Sequence, residues 1–380
     1  MKKIIALLLV MAMFVPAMAG CAQNAATPAE ATPAATQPAA REPAAPAQEP
    51  AAPTKTYETL RVGMMPFGGN VPAQYALDHG YFEELGLKVE FYQFANGAGI
   101  NEALAAQQVD VGVSGLAMIF SLASGTCKLL AETNSSGGMG IYVREGNPVL
   151  QHKGEIANKP NLYGSTDTIK GQKILGQLGT SSQYNVIGWA QQYGLTENDV
   201  ELINIDLGTD LTAFKASEGD AIAASRPYSF QLENEGYICA ASFEDATDTT
   251  LYDVIVARNE IVESRRDELV LFLKAYYKAL EEIAVNDELR FTESMNYFKS
   301  QGRDYSEQDM RSEMRVNMYV TKAYMGQKIY SFGKAMINIG DFYSAGGKIE
   351  ASQLPNVAAS FDASMLQEAL GITVNVAQAG

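Results

Sequence analysis

The chain has 380 residues, 47% of them hydrophobic, and a formal net charge of −16. That acidity argues against nucleic acid or an anionic membrane surface as partner, but leaves room for a small anionic solute in a site governed by local dipoles. Three cysteines and two histidines, His79 and His152, offer no metal-ligand spacing, no cysteine cluster and no nucleophile–base pair, so neither an enzyme nor a cofactor is expected.

Lys2 and Lys3 precede an apolar stretch at 4–15, which is shorter than the roughly 20 residues a membrane span needs. Pro16 ends it, and the small residues Ala17, Ala19 and Gly20 lead into Cys21. The segment resembles a bacterial lipoprotein signal. That resemblance implies removal of 1–20 and lipidation of Cys21, anchoring the chain at the outer face of the cell membrane, or on the periplasmic side where an outer membrane exists. The plainer reading is a secretory signal with an incidental cysteine. Residues 22–55 hold 14 Ala and 7 Pro and no aromatic residue, so they lack the apolar surface to offset ordering entropy. They read as a disordered, semi-extended tether.

From residue 60 the pattern is strand, loop, helix. Strands are expected at 60–65, 87–94 and 109–113, with helices at 73–84 and 100–107 between them. The pattern recurs about 110 residues later, with strands at 173–178, 200–205 and 219–223 and helices at 183–193 and 211–217. Val109-Asp110-Val111-Gly112-Val113 matches Gly219-Asp220-Ala221-Ile222-Ala223, each after a short helix. Two similar lobes follow, each a mostly parallel α/β sheet flanked by helices. Leu269, Phe272, Leu273, Tyr276, Tyr277, Leu280 and Ile283 share helical spacing and mark a buried face over 264–285. Further helices are expected at 292–300, 306–322 and 327–344. Cys127 and Cys239 fall in different lobes and read as buried free thiols.

In such sheets the loops at strand C-terminal ends face one crevice, where unpaired N–H groups at helix N-termini favour anions. Candidate ligand-binding residues are therefore Phe67, Gly68 and Asn70; Asn96, Gly97, Ala98 and Gly99; Ser114 and Gly115; Thr180, Ser181, Ser182 and Gln183; and Arg226 and Tyr228. Several have a second reading. Thr180-Ser181-Ser182 is equally a helix cap, and Asn96-Gly97 is equally a turn. Arg226 either grips a carboxylate or sulfonate through its guanidinium or forms a salt bridge between lobes or on the surface. Phe67 and Tyr228 are candidates to close over an apolar part of the solute. Trp189, inside a helix, reads as packing.

Several stretches of the same sequence are similar to transporter substrate-binding proteins of the nitrate, sulfonate, taurine and thiamine-precursor group (NMT1/SsuA-like). They are Leu60-Arg61-Val62-Gly63 with Pro66, Gly80-Tyr81-Phe82, Gly86-Leu87-Lys88-Val89-Glu90, Asn101-Glu102-Ala103-Leu104 with Val109-Asp110-Val111-Gly112, and Ile169-Lys170-Gly171-Gln172-Lys173-Ile174 leading to Gly179-Thr180-Ser181-Ser182. The resemblance implies a type II periplasmic-binding-protein fold. Lobe I would comprise 56–145 and 252–380 and lobe II 146–251, with crossovers near 141–148 and 251–258. It also implies a monomeric binding protein that delivers a small molecule to an ABC transporter permease. A small organic anion such as an aliphatic sulfonate is expected, because Ser225-Arg226-Pro227-Tyr228 stands where many relatives carry a Trp-Asp-Pro-like segment, and a cation there favours a simple anion over an amine-bearing solute such as taurine. A thiamine-type pyrimidine or other heteroaromatic solute, and a role as ligand sensor for a membrane receptor, are the alternatives.

Overall fold

The alternation of short apolar runs and helices resolves, in a computed structural model of the protein, into two five-stranded sheets flanked by helices. The structure describes residues 57–206 and 208–378; the signal stretch, Cys21 and the tether read from the sequence lie outside them. The strands are β1 (Leu60–Met64), β2 (Val89–Gln93), β3 (Val111–Ser114), β4 (Cys127–Ser135), β5 (Gly140–Val143), β6 (Lys173–Gly176), β7 (Glu201–Asn204), β8 (Ala221–Ala224), β9 (Ile238–Ser242) and β10 (Tyr252–Arg258). The first sheet has the order β2-β1-β3-β10-β4 and the second β7-β6-β8-β5-β9.

These two orders are the same topology written twice. In each sheet three strands run parallel, and the strand that arrives from the other sheet, β10 or β5, inserts antiparallel beside the third. The matched aspartates do matched work. Asp110 accepts a hydrogen bond from the Arg61 N–H at 3.0 Å, and Asp220 accepts one from the Lys173 N–H at 2.8 Å, each fixing the start of its parallel pair. Asp110 is also bound by the guanidinium groups of Arg61, Arg258 and Arg265. Burial works to raise its carboxyl, and the Arg61 and Arg258 bonds hold it below its ordinary value. This buried ion cluster lies at the end of the sheet away from the crevice.

The chain leaves the first sheet after Ser135 and enters the second at Gly140, so the first crossing precedes the stretch 141–148 where it was expected. Residues 141–143 instead complete a strand with no exposed side chain. The return runs from Ser242 to Tyr252. The helix Arg266–Ala284 buries the seven apolar side chains its periodicity marked, all at 0% exposure. Its Tyr276 hydroxyl donates to the Gly69 carbonyl at 2.6 Å and its Tyr277 hydroxyl to the Glu132 carbonyl at 2.7 Å, pinning the segment after β1 and the strand β4. The expected helix at 73–84 is two helices, Val71–Asp78 and Tyr81–Glu84, broken at Gly80 where φ is +72°. Cys127 and Cys239 stand on different sheets as free thiols, and burial pushes them up to about 11 and about 12, far from reactive. Among the described residues no helix is long and apolar enough to cross a membrane.

Candidate functional site

The C-terminal ends of β1, β2, β3, β6 and β8 converge on one cavity of about 130 Å³ between the two sheets. From the first lobe it is lined by Met65, Pro66 and Phe67 after β1, Asn96 and Gly97 after β2, and Ser114 to Ala117 after β3. From the second come Gln177, Thr180, Ser181 and Ser182 after β6, and Ser225 and Arg226 after β8. Ser136 and Met139 of the first crossing, Leu251 of the return, Asp253 of β10, and Arg303 complete the wall.

Nine of the fifteen candidate residues are thus brought together: Phe67, Asn96, Gly97, Ser114, Gly115, Thr180, Ser181, Ser182 and Arg226. The other six do not line the cavity. Gly68 packs against Asn317, leaving no room for a Cβ. Asn70 is fully buried, and its amide donates to the carbonyls of Met65 and Val113, so it shapes the loop. Ala98 is exposed, one position round the helix from Gly97. Gly99 gives its N–H to the Asn96 side chain. Gln183 accepts from the Gly179 N–H at 2.9 Å and braces the loop before its own helix. Tyr228 opens the helix Tyr228–Asn234 and its ring lies against Gly208 within the second lobe, not over the cavity. A ring clamp of Phe67 and Tyr228 is therefore not formed.

Where a cap or turn reading stood beside a ligand reading, the cap is formed and the same residues line the cavity. Asn96 caps the helix Gly97–Ala105 through Gly99, and also faces the cavity. The Thr180 hydroxyl accepts from the Ser182 N–H at 3.2 Å and donates to the Gln177 carbonyl at 2.8 Å. Ser182 donates to the Ala223 carbonyl at 3.0 Å. These hydroxyls set the helix Ser181–Gln192 with its positive N-terminal end at the cavity wall. Gly97 is dictated by space: a Cβ there would stand 2.7 Å from the Ala117 Cβ and 2.8 Å from the Ser114 Oγ.

Arg226 is 9% exposed, and its Nη1 lies 3.2 Å from a Glu313 carboxylate oxygen. The pair is close but not aligned, so Nη1 has no hydrogen-bond partner. Burial opposes the charge, while Glu313, Asp253 and Glu244 sustain it, and the guanidinium stays cationic. Asp253 feels the reverse. Burial pushes its carboxyl up to about 6, against the pull of Arg226 and of hydrogen bonds from Ser136 and Asn134. The Asn134 amide donates to Asp253 Oδ2 at 2.6 Å.

C-terminal helices reach across the crevice on both sides. On the helix Glu307–Val316, Glu313 meets Arg226, and Asp309 accepts from the Asn234 amide at 2.9 Å. On the helix Lys334–Ala345, the Tyr343 hydroxyl donates to the Thr180 carbonyl at 3.1 Å, and the Phe342 ring lies 3.9 Å from that of Tyr184. Among the described residues no cluster of His, Cys, Asp and Glu is arranged to hold a metal ion.

Asp253 and Arg303 were not among the sequence candidates. Asp253 had a signal: it is the one acid in the run Leu251-Tyr252-Asp253-Val254-Ile255-Val256. Arg303 sits in a polar link between helices and had none.

A family model described as the NMT1-like family matches residues 53–291. A Brachyspira hyodysenteriae protein provisionally named as an ABC transporter periplasmic binding protein is 29% identical over 317 residues, covering 82% of this chain and 90% of its own. The taurine-binding periplasmic protein of Escherichia coli K12 is 22% identical over 284 residues, covering 74% and 85%. Among solved structures, the alkanesulfonate-binding protein SsuA of Xanthomonas axonopodis pv. citri bound to MOPS superposes with a TM-score of 0.62 at 16% identity, covering 81% of this chain and 99% of that one. The nitrate-binding protein NrtA of Synechocystis PCC 6803 does so with a TM-score of 0.63 at 14% identity, covering 82% and 88%.

Proposed function

The chain belongs to the NMT1-like family, and from that premise we propose that it is the solute-binding component of an ABC importer, closing over a small organic anion such as an aliphatic sulfonate. The observation that carries the anion reading is Arg226: a guanidinium nine-tenths buried, lining the inter-lobe cavity, with a nitrogen that has no hydrogen-bond partner. A sulfonate or carboxylate offers oxygens to such a nitrogen, and the N-terminal end of the helix Ser181–Gln192 adds favourable dipole. The names of the relatives, one from an ABC transporter and others for taurine, alkanesulfonate and nitrate, agree with a small anionic solute.

In this reading lobe I is 56–145 with 252–380 and lobe II 146–251, apart from the strand β5, which pairs within the second sheet. The lobes hinge about the two crossings, and the Tyr343 and Glu313 contacts form on closure. The folded part works as a monomer outside the cytoplasm, held by lipid on Cys21 through the tether, and hands its solute to a permease. The aromatic alternative loses support because only Phe67 of the two proposed rings reaches the cavity.

The test is calorimetric titration with short-chain sulfonates, carboxylates, nitrate and an aminopyrimidine, repeated on Arg226→Gln. Binding of an acidic solute that weakens at least about tenfold in the variant is expected, since a charge-assisted contact is lost. Binding of the aminopyrimidine alone, unaffected by the substitution, would refute the anion reading.

A further inference from the structure

The cavity wall holds two guanidinium groups in different states. Arg226 faces Glu313, Asp253 and Glu244, so its charge is largely answered within the protein. Its Nη1 is buried beside Glu313, and the whole side chain shows only 9% of its surface. Arg303 is half-buried and lines the same cavity, and among the described residues its side chain makes no ion pair or hydrogen bond.

Backbone geometry, not a side-chain partner, sets the place of Arg303. The helix Asp287–Ser300 gives way to Gly302, whose φ of +70° is the left-handed conformation that favours glycine. The Gly302 N–H donates to the Lys299 carbonyl at 3.0 Å and the Arg303 N–H to the Phe298 carbonyl at 2.9 Å. That pair of bonds closes the helix end and fixes the direction in which Arg303 leaves it. Two residues on, the Tyr305 ring packs against Phe298 with centroids 4.7 Å apart. Burial lifts the Tyr305 hydroxyl far above its ordinary value, while Arg226 and Arg303 both draw it down, so the two cations flank one buried ring. The chain then enters the helix Glu307–Val316, which carries Glu313 to Arg226 and Asp309 to Asn234 of the second lobe. Arg303 thus stands on the arm that spans the crevice, beyond the residues 53–291 that match the family model.

Resting on the anion reading above, we infer that Arg303 is a specificity-determining residue: the acidic group of the solute lies between Arg303 and the exposed edge of Arg226, and Arg303 supplies the countercharge that Arg226, paired with Glu313, lacks. Without it a bound anion would join Glu313 and Asp253 around a single cation, leaving excess negative charge in a buried site. The same contact ties the solute to the arm, so Arg303 is covered when the cavity is filled.

The experiment uses the full chain, with ethanesulfonate, propionate and nitrate titrated by calorimetry into wild type and Arg303→Gln. The variant should melt as wild type does, because the side chain has no partner to lose, yet bind at least about tenfold more weakly whichever probe wild type binds. A second measurement needs no variant: phenylglyoxal labelling of wild type, read by mass spectrometry. Arg303 should be labelled in the empty protein and spared at saturating probe, while Arg266, 40% exposed on the far helix Arg266–Ala284, is labelled alike in both. Unchanged affinity in Arg303→Gln, or labelling of Arg303 that saturating probe leaves undiminished, would overturn the role of Arg303 while leaving the anion reading intact. Failure of all three probes to bind the folded wild type would remove both.

Discussion

Glu132 offers a quantitative check on the physical account of the fold. It sits on β4 at 0% exposure, with Oε1 accepting the Gly333 N–H at 3.1 Å and Oε2 without a hydrogen bond. Burial pushes its carboxyl from an ordinary 4.5 up to about 7, although Gly333 and the neighbouring Tyr330 hydroxyl draw it back. The folded protein therefore binds a proton more tightly than the unfolded chain does. Its stability falls as pH rises from about 4.5 to about 7 and levels off above that, and the carboxylate costs about 3 kcal/mol at about pH 8. Glu132→Gln keeps the acceptor for Gly333 and removes the charge. Allowing about 1 kcal/mol for the new buried amide N–H, the variant should be about 2 kcal/mol more stable than wild type at about pH 8. The gap should vanish or reverse below about pH 5. Urea midpoints at the two pH values, with the m-value held constant, measure this directly. Asp210 and Asp253, each also pushed up to about 6, titrate in both proteins and cancel in the difference. A variant with the same pH dependence as wild type would refute the reasoning.

Gly97→Ala drives a Cβ into Ala117 and Ser114, and should cost about 1–3 kcal/mol in thermal unfolding while weakening sulfonate binding by calorimetry. Tyr343→Phe removes the hydroxyl that reaches the Thr180 carbonyl across the crevice and should shift the lobes towards opening by about 1 kcal/mol. An increased radius of gyration in solution scattering would register that shift, and an unchanged one would count against the hinge. Trp189 is fully buried and its indole N–H donates to the Tyr163 carbonyl at 2.8 Å within the second lobe, so its emission should stay blue and unmoved by saturating solute. A shift on binding would show that the second lobe deforms instead of moving as a body.

What could be read from the sequence was whatever repeats locally. The helical spacing of Leu269 to Ile283 marked its buried face because burial on a helix recurs with the backbone period. The Asp110 and Asp220 match disclosed the doubled topology because each aspartate does a local job, binding the first N–H of the adjacent strand. Arg226 could be found because it follows a buried strand directly. Pairing direction is a long-range property, so nothing local announced that β5 and β10 insert antiparallel, or that residues 141–143 belong to the second sheet. Asp253 was missed for the same reason. Its run looked like a crossing between lobes, and only its place in the sheet turns it towards the cavity. Tyr228 was over-read: the helix it opens turns its ring to Gly208.

The most direct test of the account is a crystal structure of residues 56–380 grown with the tightest-binding probe of the calorimetric series. Density is expected between the lobes, with an acidic group in hydrogen-bond reach of the Arg226 guanidinium. A solute stacked on Phe67 with Arg226 still engaged only by Glu313, or bound away from the crevice, would contradict it.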